Sequence, residues 1–211
     1  KTVAYMSDSF ERLRTAVKDE VGGPEQWHYQ RTYTNGTKIY RGGAKGIHVK
    51  ASAIVTATPQ QIFEYTSTNN LEQRNAWDTM CNTIQVVESE GTKTILKTKF
   101  TSPTRLVAQR EFVYMRDSRT DEDGTIYMSS IAFVDGEDAD IPPISKKTVR
   151  GGLPLCGWEL KPIMVDDRIC TQCTYCTSAE LNGRIPNWVA SIGAEDQVKS
   201  VSRFVDLFRN D

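Results

Sequence analysis

The sequence predicts one α+β domain, in which antiparallel strands and two small helices precede a long final helix. Three observations support this fold class. Residues 27–58 alternate between apolar and polar side chains around a strong Asn-Gly hairpin turn at 35–36. Thr58 followed by Pro59 is a typical start of a helix. An apolar stripe at helical spacing runs through residues 186–208.

The composition indicates an ordinary globular domain rather than a nucleic-acid-binding or membrane-spanning protein. The 211 residues are 25% charged and 38% hydrophobic, with a net charge of -1, so no global field favours an anionic partner. No apolar run approaches the ~20 residues that span a bilayer, and residues 1–20 do not resemble a secretory signal. We predict a single domain over residues 1–211, and the start at Lys1 suggests a piece of a longer protein.

Residues 1–79 are predicted to contain three helices and three strands. Phe10, Leu13 and Val17 recur at helical spacing, which predicts a helix over residues 8–20. The second helix combines a threonine cap, a proline at its first position and a glutamine three residues after the cap. This second helix starts at residue 59, and a short third helix is predicted around 71–79. The strands are predicted at 27–33, 38–41 and 47–56.

Residues 80–211 are predicted to form mostly strands before the final helix. Charged and proline-containing loops are expected at residues 101–108 and 135–143. Gly193 interrupts the final helix, where it is expected to produce a kink. The strands are predicted at 84–89, 92–100, 109–117, 126–134, 144–150, 157–163 and 169–178, before a helix at 186–208. The apolar stripe of that helix is Trp188, Ile192, Val198, Val201, Val205 and Phe208.

Several short motifs occur in a fixed order along the chain. Arg74 and Asp78 lie four residues apart around a tryptophan, the spacing that places both on one helix face. They are followed by Gln-Arg-Glu-Phe-Val at 109–113, Gly-Trp at 157–158 and Gly-Arg-Ile-Pro-Asn-Trp at 183–188. Together these motifs resemble the START family, the steroidogenic-acute-regulatory-related lipid-transfer domains, over nearly the whole chain.

The resemblance implies both a fold and a function. The fold would be a helix-grip, in which a U-shaped antiparallel sheet wraps around the C-terminal helix and leaves a tunnel for one lipid. The chain resembles the phosphatidylcholine-transfer-protein-like branch more than the sterol branch. We therefore predict a non-catalytic lipid-binding and lipid-transfer domain that carries a phospholipid, touches a membrane transiently and is cytoplasmic. The alternatives are a lipid-sensing domain of a larger protein and a carrier of sterol or ceramide.

The predicted head-group contacts centre on Arg74 and Asp78. A guanidinium can bind two phosphate oxygens at once and does not deprotonate, and Asp78 would hold Arg74 in place. The alternative is a surface ion pair that contributes under ~1 kcal/mol. The ligand-binding residues that we predict are Arg74, Asp78, Lys99, Arg110, Phe112, Tyr114 and Trp188.

The strand at 109–117 presents two faces, and the sequence leaves open which one lines the tunnel. Arg110, Phe112, Tyr114 and Arg116 share one face because side chains alternate along a strand. The other face is built from Glu111, Val113 and Met115. Lys97 and Lys99 pose the same question on the preceding strand. By resemblance, an acidic residue is expected near Lys99 in cholesterol-binding members, so the lysine favours another lipid.

Lipid entry requires a gate, and the candidates are the loop at 101–108 and the C-terminal helix. Loops and terminal helices open most easily because their local stability is low. Leu106 and Val107 are predicted to touch the membrane while the gate is open.

The remaining reactive side chains indicate neither a cofactor nor catalysis. Cys170, Cys173 and Cys176 have a spacing that invites a metal site, but on a strand Cys173 would point away from the other two. Buried, reduced thiols of a cytosolic protein are the simpler interpretation. His28 and His48 are the only histidines and neither has a neighbouring nucleophile signature. We predict no metal, no cofactor and no enzyme activity, although related helix-grip proteins include cyclases and dehydratases.

Overall fold

The computed structural model describes residues 2–18, 26–42, 47–133 and 141–209. Within these ranges the chain forms four helices and ten strands. In chain order they are α1 (Thr2–Lys18), β1 (His28–Thr32), β2 (Lys38–Arg41), β3 (Ile47–Val55), α2 (Pro59–Thr66), α3 (Leu71–Asn75), β4 (Cys81–Glu90), β5 (Lys93–Phe100), β6 (Gln109–Thr120), β7 (Ile126–Ala132), β8 (Thr148–Arg150), β9 (Gly152–Val165), β10 (Arg168–Glu180) and α4 (Asn187–Leu207).

The described strands form one curved sheet in the order β1-β2-β3-β10-β9-β7-β6-β5-β4. All neighbours along this path are antiparallel, and β8 joins β6 from the side in a parallel pairing. Helix α4 packs mainly on β3 inside the curve, whereas α1 packs on β7, β9 and β10 on the outside. The predicted α+β helix-grip fold is confirmed.

Local sequence signals explain several of the helix boundaries. The Thr58 side chain accepts a hydrogen bond from the Gln61 backbone N–H, and the Gln61 side chain accepts one from the Thr58 N–H, so the predicted capping box is present. Helix α3 ends at Asn75 rather than near 79. It is shorter than predicted because Trp77 turns inward and is buried in the core.

Other predicted boundaries need correction. Helix α1 begins six residues earlier than expected, at Thr2 instead of residue 8. The predicted strand at 144–150 is reduced to β8, because Lys147 adopts a positive φ of 62° that interrupts an extended chain. The predicted acidic loop at 135–143 lies largely outside the described residues.

Two hydrophobic layers hold the fold together, one on each face of the sheet. On the inner face, the Trp77 ring lies 5.3 Å from that of Trp158 and 5.8 Å from that of Phe204, measured between centroids. On the outer face, Phe10 and Leu13 of α1 are fully buried against the sheet. Such aromatic clusters bury large areas and define one arrangement of the helices, so α4 is placed over the concave face by its aromatic anchor at Phe204.

The apolar stripe predicted for α4 is only partly correct. Val198 and Val201 are buried as expected, but Trp188 and Ile192 are exposed. The side chains that α4 buries are Val189, Ala194, Val198, Ser200, Val201 and Phe204. The first turns of the helix are therefore rotated by about one position relative to the prediction.

A cavity between the sheet and the last helix

A cavity lies between the concave face of the sheet and α4. About 1020 Å³ of space free of protein atoms lies in the cavity and at its mouth, a figure that includes open solvent. Most of its wall is apolar and aromatic, as expected of a site for an apolar ligand. The lining residues that come from the sheet, from α3 and from the turn after α3 include Ile47, Arg74, Trp77, Phe100, Phe112, Tyr114, Met128, Leu153, Trp158 and Tyr175. The cavity opens where its lining residues reach solvent: Pro103 and Ala108 are exposed, and Val107, Leu181 and Ile185 are half-buried.

Arg74 and Asp78 form a buried ion pair at this cavity. The Arg74 Nε and Nη2 donate to the same Asp78 oxygen, Oδ2, at 3.0 and 2.8 Å. The side chains are only 11% and 1% exposed, which excludes the surface ion pair considered as an alternative. The Arg74 guanidinium also stacks on Trp77, with Cζ 4.1 Å from the ring centroid.

The charge state of Arg74 is decided by two opposing effects. Burial alone would lower the pKa of Arg74, but the Asp78 carboxylate outweighs burial and holds this pKa above its ordinary value. The second carboxylate oxygen, Asp78 Oδ1, is buried without a hydrogen-bond partner among the described residues. Of the pair, Arg74 lines the cavity, whereas Asp78 lies behind it and is not one of the lining residues.

The structure shows which face of β6 lines the cavity. Arg110, Phe112, Tyr114 and Arg116 all line the cavity. Glu111 lies on the opposite face, where its carboxylate is 3.5 Å from Lys97 Nζ and 3.1 Å from Arg150 Nη2. The inner face of β6 therefore carries both cations and aromatic rings.

Arg116 is a cavity residue that our site prediction omitted. It is 7% exposed, its Nη2 donates to Asn69 Oδ1 at 2.9 Å, and its Nη1 has no hydrogen-bond partner in the described part of the chain. Burial lowers the pKa of Arg116. The sequence signal for Arg116 was the alternation of side chains along a strand, which places it on the same face as Arg110.

Two tyrosines bring hydroxyl groups to the cavity wall. Burial raises the pKa of both Tyr114 and Tyr175, so both remain neutral donors. The Tyr175 hydroxyl donates to Gln197 Oε1 of α4 at 2.8 Å, whereas no described residue is hydrogen-bonded to the Tyr114 hydroxyl. Sequence reasoning missed Tyr175, since a tyrosine on a strand has no distinctive spacing.

Arg110 lines the cavity near its opening, but three of its donors are committed to the backbone. Nε donates to the Leu181 carbonyl at 2.6 Å, Nη2 to the Asn182 carbonyl at 2.7 Å, and Nη1 to the Ala108 carbonyl. Burial lowers the pKa of Arg110. Three of its five N–H groups are therefore held by the backbone, and the role of Arg110 as a head-group contact remains a prediction.

Two predicted ligand residues do not reach the cavity. Lys99 pairs in register with Glu111, so it lies on the outer face of the sheet with that carboxylate. Trp188 is 55% exposed, and its neighbour Val189 faces the cavity instead. The assignments of Lys99 and Trp188 are corrected for this reason.

The two residues predicted at the gate differ in environment. Leu106 is 92% exposed at the tip of the loop, whereas Val107 is half-buried and lines the cavity. No helix in the described ranges is long and apolar enough to span a bilayer. Membrane contact by Leu106 and Val107 remains a prediction.

The cysteines occupy ordinary core positions. Cys173 belongs to the inner hydrophobic layer and Cys176 to the outer one, so the two point to opposite faces as expected. Burial raises the pKa of Cys173, which keeps the thiol protonated. Among the residues described, no group of histidine, cysteine and acidic side chains is arranged to hold a metal.

An apolar cavity with a few buried polar groups can hold an amphiphile by burying its chain and hydrogen-bonding its head. A curved antiparallel sheet closed by a terminal helix around such a cavity defines a helix-grip ligand-binding domain. The chain belongs to the START domain family, whose profile matches residues 10–209.

Individual relatives agree with this assignment. The chain is 30% identical over 193 residues to StAR-related lipid transfer protein 5 of Bos taurus, covering 84% of this chain and 87% of that protein. The human StAR-related lipid transfer protein 5 structure superposes with a TM-score of 0.81 at 21% identity, over 99% of this chain and 97% of that one. Human STARD10 superposes with a TM-score of 0.71 at 14% identity, over 94% and 78% of the two chains.

Proposed function

We propose that this protein is a non-catalytic carrier that binds one lipid in the cavity and transfers it between membranes. The observation that supports a phospholipid is the surplus of buried positive charge. Arg116 has no carboxylate partner and an unbonded Nη1, while Asp78 compensates only Arg74. A buried, unpaired cation is costly unless a ligand anion compensates it. A phosphate would supply that anion, which favours the phosphatidylcholine-transfer-protein-like branch.

The acyl chains would occupy the aromatic and aliphatic part of the cavity. Each methylene removed from water contributes ~0.8 kcal/mol, so even one chain offsets much of the free energy of leaving a bilayer. The head group would lie between Arg74, Arg116 and the Tyr114 hydroxyl, three polar groups of the cavity wall, of which Arg116 Nη1 is buried without a partner among the described residues.

Exchange with a membrane would occur at the opening. Leu106 is positioned to insert because its side chain contacts almost nothing in the closed protein. We place the protein in the cytoplasm with transient membrane contact, and without a nucleic-acid partner because its net charge is -1. It could equally act as the lipid-sensing domain of a larger protein, by the same binding step.

A sterol or ceramide is the second candidate, and one observation favours it. Asp78 Oδ1 has no hydrogen-bond partner among the described residues. A lipid hydroxyl could donate to this oxygen while it accepts from Arg74. Such a ligand would leave the positive charge of Arg116 uncompensated, so we rank it below a phospholipid.

The test is extraction of lipid from vesicles that contain phosphatidylcholine, an anionic phospholipid, ceramide and sterol in equal amounts. Native mass spectrometry of the recovered protein should show one phospholipid per chain. Recovery of sterol or ceramide would establish the second candidate. If no lipid is extracted or moved between vesicles, the carrier function is wrong.

A further inference from the structure

The opening of the cavity is formed by two separate segments that meet at one side chain. The first is the loop Thr101–Ala108, and the second is residues 181–186, which lead into α4. Arg110 donates to the carbonyl of Ala108 at the end of the first segment. It also donates to the carbonyls of Leu181 and Asn182 at the start of the second.

We propose that Arg110 is a positioning residue that couples the two segments of the gate, so that they open together rather than independently. The proposal rests on the carrier function above. Arg110 would act on the gate more than on the lipid, because each of its three nitrogens already donates to a carbonyl and only the second N–H of Nη1 and of Nη2 is left. A planar guanidinium cannot turn toward one segment without losing its alignment with the other.

The backbone of the second segment is shaped to fit this side chain. Asn182 and Gly183 have positive φ values of 45° and 68°. A Cβ built on Gly183 would lie 3.6 Å from Arg110 Nη2, so the chain wraps closely around the guanidinium. Asn182 is fixed in this conformation because its Nδ2 donates to the Arg150 carbonyl at 3.0 Å. Two successive carbonyls consequently point at Arg110.

The two halves of α4 differ in their side-chain contacts, and the difference fits a coupling of the two segments by Arg110. In the second half, Arg203 donates to the Trp77 carbonyl at 2.8 Å, and Asn35 donates to the Ser202 side chain at 2.7 Å. Among the described residues, no side chain at 187–193 forms a hydrogen bond or ion pair with another element. The first turns of α4 can therefore follow the segment that Arg110 holds, while the second half stays anchored.

The experiment compares Arg110→Gln with wild type by amide hydrogen exchange of the lipid-free protein. We expect faster exchange by a similar factor in both segments, at 101–108 and at 181–186, and in the first turns of α4, at 187–193. Release of bound phosphatidylcholine to excess vesicles should accelerate by roughly ten-fold or more, the range expected for one charged hydrogen bond. The matched control is Arg203→Gln, which also removes a guanidinium that donates to a neighbouring carbonyl but touches neither segment.

The coupling is supported only if both segments respond to Arg110→Gln and neither responds to Arg203→Gln. Acceleration in one segment, in neither, or equally in the control would overturn it. If Arg110→Gln does not fold, Arg110→Lys decides by the same criteria, because it keeps the charge and reaches fewer carbonyls. Failure of wild type to bind lipid would contradict the carrier function alone, because the exchange measurement needs no lipid.

Discussion

The two ends of the cavity use the same kind of side chain for different tasks. At the opening, Arg110 gives its donors to three backbone carbonyls and so holds the wall in place. At the interior, Arg74 is paired with one carboxylate, and Arg116 keeps an unbonded nitrogen. The partners of a buried guanidinium, rather than its presence in the wall, decide whether it supports the fold or is available to a ligand.

The largest expected effect is that of Arg74→Leu. The change removes a proposed phosphate contact and leaves the Asp78 carboxylate buried without its cation. Breaking a buried pair in this way costs roughly 3–5 kcal/mol of unfolding free energy. Phosphatidylcholine transfer between vesicles should fall to background, and the melting temperature measured by circular dichroism should drop.

Two companion variants separate ligand binding from stability. Asp78→Asn should lower stability as well, yet retain phospholipid binding because the Arg74 charge remains. Arg74→Lys should keep the charge but bind phospholipid more weakly, since an ammonium lacks the two-pronged geometry. Equal transfer by wild type and all three variants would show that the pair only supports the fold.

The next effect in size is that of Arg116→Gln, which should weaken phospholipid binding without lowering the stability of the protein. Loss of one charged hydrogen bond weakens phospholipid affinity by ~1.5–3 kcal/mol, or about ten-fold to a hundred-fold. The melting temperature should stay the same or rise, because an unpaired buried cation destabilises the lipid-free protein. Both quantities are measured on the same lipid-free and lipid-loaded samples.

The matched control for Arg116 lies three residues further along the same strand. Arg119 stacks its guanidinium on Phe10 on the outer face, with Cζ 4.1 Å from the ring centroid. Arg119→Gln should leave lipid affinity unchanged. If Arg116→Gln also leaves it unchanged, the surplus charge in the cavity does not select an anionic head group.

Much of the fold was predictable because its signals are local. The Thr58–Gln61 capping box and the spacing of Arg74 and Asp78 depend on residues three and four apart, and both are present as expected. The resemblance motifs then indicated the arrangement of sheet and helix. The order of the described strands could not be obtained from such local signals.

The site was harder to predict because it depends on which face of each strand turns inward. One residue of register decides whether Lys99 or its neighbours Thr98 and Phe100 face the cavity. The assignment of Trp188 is wrong for a related reason. Trp188 and Val189 are both apolar and adjacent, so the sequence pattern fits burial of either one, and the structure buries Val189. These choices are made by long-range packing, which a single sequence does not contain.

The smallest expected effect lies at the opening, with Leu106→Asp. A charge that stays near the membrane interface costs up to ~1 kcal/mol, so vesicle-to-vesicle transfer should slow several-fold. The melting temperature should not change, because Leu106 is 92% exposed in the closed protein.

Met164→Asp is the matched control: this side chain is also exposed, at 64%, but it lies at the far end of β9 from the opening. Equal slowing by Met164→Asp, or a lower melting temperature for Leu106→Asp, would remove Leu106 from the membrane contact. Val107→Asp should instead reduce both transfer and stability, because Val107 also lines the cavity.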